Sequence, residues 1–187
     1  MICYRHCDYR TPLRSTFQAQ REGARYHRGT ESEPTQYLCV HPLGPHAEAL
    51  RRYDARTPEQ ACRLSLRTWA LDVPLDDLLE IPFAEQYVSD DAEPCRVLAE
   101  KFRHAGVGGL VVPSAALPGT KNVILFGPRA AAPYLASRRR AIDVPASITG
   151  ELGRPLTALL ARVRFRGDPH PGADYVFREP DWKVAAA

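Results

Sequence analysis

The chain has 187 residues, of which 44% are hydrophobic and 25% charged. That is enough apolar material for one buried core and too much for a disordered tail. No run nears the roughly 18 apolar residues of a membrane span, and the N-terminal MICYRHCDYR lacks the apolar stretch of a secretory signal, so a single cytoplasmic domain is expected. The formal net charge of +3 is too small to argue for nucleic acid on its own.

In chain order, residues 2–5 (ICYR) read as a short strand, and residues 6–34 as an irregular, functional loop without sustained periodicity. TQYLCVH (35–41) reads as a strand bounded by Pro34, Pro42 and Gly44. Pro45 suits a first helical turn, and HAEALRRY continues it. CRLSLRTWALDV (62–73) alternates at Cys62, Leu64 and Leu66, which predicts a strand closed by Pro74. LDDLLE (75–80) is expected to form one short helix. Cys95, Leu98, Ala99 and Phe102 fall at i, i+3, i+4 and i+7, which predicts an amphipathic helix over 92–104 stopped by Gly106. Strands follow at 107–113 and 122–127, joined by the turn-forming AALPGTK, then a weaker helix at 154–161 and a strand at 162–166. The reading is therefore one α+β domain over residues 1–166, with mixed β-sheets and a few helices, and a loosely attached tail over 167–187.

Five cysteines are an odd number, and no Cys-x2-Cys occurs; neither a disulfide framework nor a metal site is expected, although His6 lies between Cys3 and Cys7. Lys occurs only at 101, 121 and 183, leaving 22 arginines. GC-rich codon usage explains that bias simply, while Arg also suits bidentate binding of phosphate or carboxylate. Dinucleotide, phosphate-loop, zinc-protease and serine-hydrolase motifs are all absent. The run Arg138–Arg140 reads as a solvated face, and Trp69 and Trp182 as packing residues of the core and tail.

Polar residues at the edges of apolar strands are the candidates for chemistry, because a sheet holds such groups rigidly over a cleft. Arg5 ends the first strand, Arg25 lies in ARYH, Tyr37 sits within QYLCV, Glu48 falls on the first turns of the helix after Pro45, and Ser114 closes VVPS. Each alone has a plain structural explanation: surface charge, amphipathic packing, a helix-dipole partner or a turn residue.

In combination, the order YR, ARYH, QYL-x8-HAE and VVPSAAL…NVILFGPR resembles the RES domain over roughly residues 2–130. That family is named for its Arg, Glu and Ser, and its members consume NAD. Ala24 stands where the family often has Gly, and His6 where an aromatic sometimes follows the first Arg. The resemblance implies a fold similar to ADP-ribosyltransferase toxins, with a twisted sheet enclosing an NAD cleft. It implies cleavage of the nicotinamide–ribose bond, with NAD as substrate and no metal, and with inorganic phosphate as one acceptor. It further implies a toxin restrained by an antitoxin that carries a DNA-binding domain, with no membrane and no direct nucleic-acid contact.

Glu48, Arg25 and Ser114 are accordingly expected to carry catalysis, and Arg5, Tyr37, Tyr26 and His27 to bind NAD or phosphate. Cleavage passes through an oxocarbenium-like state, so a fixed carboxylate at Glu48 suits the ribose, and Arg25 or Arg5 suits the diphosphate. Tyr37 suits nicotinamide stacking or a ribose contact, Ser114 a hydrogen bond to the ribose or nicotinamide side, and His46 a structural or rim place. NAD phosphorylase is the leading expectation. The alternatives are transfer of ADP-ribose to a protein, use of NAD in specialised metabolism, and a catalytically inactive binding module.

Overall fold

The computed structural model describes residues 1–6, 23–29, 35–64, 68–127 and 157–179. Six strands form one mixed sheet: β1 (Ile2–His6), β2 (Thr35–Cys39), β3 (Thr68–Asp72), β4 (Leu78–Glu80), β5 (Gly109–Pro113) and β6 (Lys121–Phe126). Their spatial order is β3-β1-β2-β6-β5-β4. All pairs are antiparallel except β4 with β5. The helices are α1 (Gly44–Arg52), α2 (Pro58–Ala61), α3 (Glu85–Val88) and α4 (Glu93–His104), followed by a 3-10 helix at Thr157–Arg162. The expected α+β class is the one observed.

Alternation along the strands separates two faces. Cys3, Leu38, Leu71, Val73, Val123 and Leu125 pack together on one. On the other, Leu110, Val112, Ile124 and Phe126 pack beneath Cys95 and Ala99 of α4, with Tyr26 and Ile81 in the same cluster. α1 lies over this second face too, with Gly44 against Cys39. Its apolar side, Leu43, Ala47 and Leu50, meets Ala116, Leu117, Leu159 and Phe165 in a third cluster.

Local chemistry accounts for the helices. α1 has Pro45 in its first turn and Arg51 and Arg52 in its last, matching the helix dipole. α2, absent from the sequence expectations, starts on a capping box in which Thr57 and Gln60 satisfy each other's backbone N–H. α4 carries Glu93 and Pro94 at its start and Lys101, Arg103 and His104 at its end, close to the predicted span.

Three local expectations are corrected. The 75–80 segment is a turn and a strand rather than a helix: Asp77 adopts φ 66°, and Leu78–Glu80 pair in parallel with Gly109–Val111. Only Thr68–Asp72 of the predicted 62–73 strand is a strand, because Cys62 caps α2; residues 65–67 lie outside the described residues. Residues 162–166 form no strand, since Arg162 ends the 3-10 helix and Val163 N–H still bonds back to Leu159 O. The segment expected to hang loosely from residue 167 is anchored as far as 179. Phe177 packs on the third cluster and lies over Gly119 (φ 78°), where a Cβ would come within 2.5 Å of the Phe177 nitrogen. His41 meets the Phe177 ring edge-on at 4.8 Å. Arg138–Arg140 and Trp182 lie outside the described residues.

Candidate active site

Glu48 owes its place to the short connection between β2 and α1. Gly44 N–H bonds to His41 O (2.9 Å), Leu43 N–H donates to His41 Nδ1 (3.2 Å), and Ala47 N–H donates to Leu43 O (3.0 Å). A Cβ on Gly44 would sit 2.4 Å from the Cys39 Cβ, so only glycine lets the helix start this close to the strand. One turn later the half-buried Glu48 reaches the sheet, where its Oε1 accepts from Asn122 Nδ2 at 2.9 Å. Asn122 lies opposite Cys39 on one side and Val112 on the other. The Cys39 thiol is pushed well up, first by burial and then by the Glu48 carboxylate nearby.

Tyr37 stands two residues along β2 from Cys39, opposite Ile124, and so shares the face of Asn122. Its hydroxyl accepts from the Tyr26 N–H (3.1 Å) and lies 3.0 Å from His27 Nδ1. The turn 24–27 is held from above by α4. Arg96 Nε donates to Ala24 O (3.1 Å), Arg103 Nη2 donates to Tyr26 O and to Thr35 Oγ1 (both 2.8 Å), and Arg28 pairs with Glu93 and Glu100. Arg25 lies in this turn, half-buried, with Nη1 donating to Cys95 Sγ at 3.8 Å.

Ser114 follows β5 and is 1% exposed. Its Oγ accepts from Leu117 N–H (3.1 Å) and its N–H donates to Thr120 O (2.9 Å); the hydroxyl keeps a proton to donate. This turn is clamped to α1 by a network that no local sequence signal announces. Arg51 Nη1 donates to Ala115 O (3.2 Å) and Arg164 O (2.8 Å), and Arg164 N–H donates to Ala116 O (2.9 Å). Asp90 Oδ1 joins the two guanidiniums, at 2.5 Å from Arg51 Nη2 and 3.2 Å from Arg164 Nη1, and Oδ2 takes the Gly167 N–H at 2.7 Å. Burial lowers the Arg51 pKa, and the neighbouring Arg164 charge lowers it further. Burial works to raise Asp90, but the Gly167 N–H and the two arginines outweigh it and leave its carboxyl below the usual range.

The expected residues therefore divide. Arg25, Tyr26, His27 and Tyr37 form one connected group, and Glu48 lies on the same face, bound to Asn122. Ser114 closes the strand next to Asn122. Arg5 goes elsewhere: Tyr4 pairs with Cys39, so the pleat turns Arg5 with Cys3 to the opposite face, where it hydrogen-bonds Gln36 Oε1. Tyr26 and His27, expected as ligand contacts, are 2% and 5% exposed, and burial raises the Tyr26 pKa, with Cys95 adding to it. Tyr26 belongs to the cluster under α4, and His27 meets the Tyr37 hydroxyl. His46, on α1, is fully buried. Asn122, Arg51, Asp90 and Arg164 were not singled out in the sequence. Asn122 alone left a trace, as the polar residue that opens the apolar run VILF. Among the described residues no group of three His, Cys, Asp or Glu is placed to hold a metal ion, and no helix is long and apolar enough to cross a membrane.

The model of the RES domain matches residues 2–147. The chain belongs to the RES domain family. A solved chain from the M. tuberculosis MbcT–MbcA toxin–antitoxin complex is similar to this RES domain with a TM-score of 0.60 and 19% identity, covering 81% of this chain and 88% of that one. At that identity the likeness establishes the shared fold. No curated protein matches the chain.

Proposed function

We propose that this RES domain is an NAD phosphorylase that acts as the toxin of a toxin–antitoxin pair in the cytoplasm. The observation that carries the reading is the Glu48 carboxylate, held by Asn122 at 2.9 Å on a sheet face that also presents Tyr37 beneath the Arg25 turn. Membership of the RES family supports NAD as substrate, and the toxin–antitoxin complex of the similar structure supports a protein partner.

In the proposed reaction the bond between the ribose C1′ and the nicotinamide nitrogen breaks. The electron pair leaves with nicotinamide, which departs neutral, and positive charge develops on the ribose. Glu48 takes a ribose hydroxyl and stabilises that charge; preorganised electrostatics of this kind contribute roughly 100-fold or more in rate. A phosphate oxygen then bonds to C1′, giving ADP-ribose 1″-phosphate. Arg25 binds a diphosphate or phosphate oxygen through its planar fork, and Ser114 donates its remaining hydroxyl proton toward the ribose or nicotinamide.

The test is product analysis by mass spectrometry after incubating the purified chain with NAD, with and without phosphate, beside Glu48→Gln. Loss of NAD in the wild type only, faster with phosphate and yielding the phosphorylated product, supports the reading. NAD left intact in every sample would overturn it, and free ADP-ribose formed regardless of phosphate would replace phosphate by water as acceptor. Growth arrest on expression, relieved by a co-expressed antitoxin, tests the toxin role.

A further inference from the structure

We infer that Asn122 is the positioning residue of Glu48, fixing which carboxylate oxygen meets the substrate; this rests on the function proposed above. A carboxylate only accepts hydrogen bonds, so the amide must turn Nδ2 toward Glu48, as it does at 2.9 Å. The opposite flip would set two acceptors against each other. That constraint also fixes Oδ1, which is buried and has no partner among the described residues. A residue serving only the sheet would not need a buried, unsatisfied acceptor, and an apolar side chain would suit the strand Lys121–Phe126, whose other inward positions are Ile124 and Phe126.

The two ends of the contact differ in freedom. Asn122 is held in the middle of the sheet, between Cys39 of β2 and Val112 of β5. Glu48 projects from a helix on a side chain with three rotatable bonds, and Asn122 provides its one hydrogen bond among the described residues. The bond engages Oε1 of the half-buried Glu48. Asn122 thus selects one rotamer and leaves the second oxygen for a ribose hydroxyl.

Three proteins decide it: wild type, Asn122→Ala, and the isosteric Asn122→Asp, each first checked for a cooperative melt. With NAD as substrate, Asn122→Ala should lose about 10- to 100-fold in kcat while KM stays within about 3-fold, because the orientation of a transition-state group is lost and ground-state binding is not. Asn122→Asp sets two carboxyls side by side, which disfavours charging both. The acid limb of its pH–rate profile should move up by about one pH unit or more, a displacement that a merely structural role would not produce. High-resolution crystal structures of the wild type and Asn122→Ala give a readout independent of NAD: one carboxylate position for Glu48 in the first and several in the second. An unchanged kcat with a superimposable pH profile, or an unmoved Glu48 in the Asn122→Ala crystal, overturns the inference. If the wild type leaves NAD intact, the proposed function fails by itself, and the crystal structures still decide whether Asn122 positions Glu48.

Discussion

Replacing Asp90 by Asn keeps the shape of the side chain and removes the charge that two guanidiniums share. Arg51 and Arg164 each have side chains only 7% exposed, whereas Asp90 is 37% exposed. The wild-type carboxylate accepts at 2.5 Å from Arg51, 3.2 Å from Arg164 and 2.7 Å from the Gly167 N–H. An amide has a single oxygen, so at least one of those donors comes to face an NH2 group. Hydrogen bonds to charged groups contribute about 1.5–3 kcal/mol each, and removing one partner of a buried pair costs about 3–5 kcal/mol. The partial exposure of Asp90 argues for the low end through solvent screening, or about 3 kcal/mol. For a chain of this size about 2–4 °C accompanies each kcal/mol, so the melting temperature at pH 7 should fall by about 6–12 °C. The Asp90 carboxyl lies below its usual range in the folded state. Its contribution is therefore complete above the unfolded value of about 3.9 and is lost as pH falls through the folded value. The gap between wild type and variant should close below about pH 4. Thermal melts by circular dichroism from pH 3 to 8 measure both. A deficit under about 2 °C at pH 7, well short of the size scaling, or a deficit equally large at pH 3, would refute the shared-charge account.

Two further outcomes follow from the packing. Gly44→Ala places a methyl group 2.4 Å from the Cys39 Cβ, and overpacking of this kind costs about 1–3 kcal/mol. The urea midpoint should fall and NAD consumption with it, because Glu48 rides on the displaced helix; an unchanged midpoint would show that α1 can back away freely. Cys62 is exposed while Cys3, Cys39 and Cys95 are buried. Burial pushes Cys3 up to about 12 and Cys39 well above the ordinary thiol value. The thiolate is the reactive form, so a disulfide reagent at pH 8 should label Cys62 in the native protein, and Cys3, Cys39 and Cys95 only on unfolding. Residue-level mass spectrometry reads this, and native labelling of Cys39 at the rate of Cys62 would contradict the packing beneath α1.

Much of the fold was legible where a single element determines its own pattern. The apolar spacing of Cys95, Leu98, Ala99 and Phe102 predicts α4 almost to its ends, and Pro45 marks the start of α1. Readings failed where a partner distant in sequence decides. Leu78–Glu80 looks helical alone, but the left-handed turn at Asp77 and the exposed edge of β5 make it a strand. RVRFR alternates like a strand, yet Arg164 donates its N–H to Ala116 in a turn and meets no ladder. The site shows the same division. Glu48, Arg25 and Tyr37 lie on one side of the sheet, whereas Arg5 lies on the other. Which face a strand residue occupies depends on register, and the β1–β2 register sends Tyr4 toward α1 and Arg5 away. Asn122 was hidden for a different reason, since its role exists only through a side chain 74 residues away.

The arginine bias bears on the same point. Codon usage explains why arginine is abundant without explaining where it is used. Arg96 donates to Ala24 O and Arg103 to Tyr26 O, fixing the turn that carries Arg25. Arg51 donates to Ala115 O and Arg164 O, Arg164 to Val88 O, and Arg56 to Arg166 O. Each accepting carbonyl lies outside a strand or in a short helix, where no regular ladder satisfies the backbone. A guanidinium presents five donors in a rigid plane and so bridges two or three such acceptors at once, which the point-like ammonium of lysine does less well. The irregular segments around the candidate site are thereby tied down by arginine side chains. Under the proposed function, the place of Arg25 therefore depends on Arg96 and Arg103, which hold its turn.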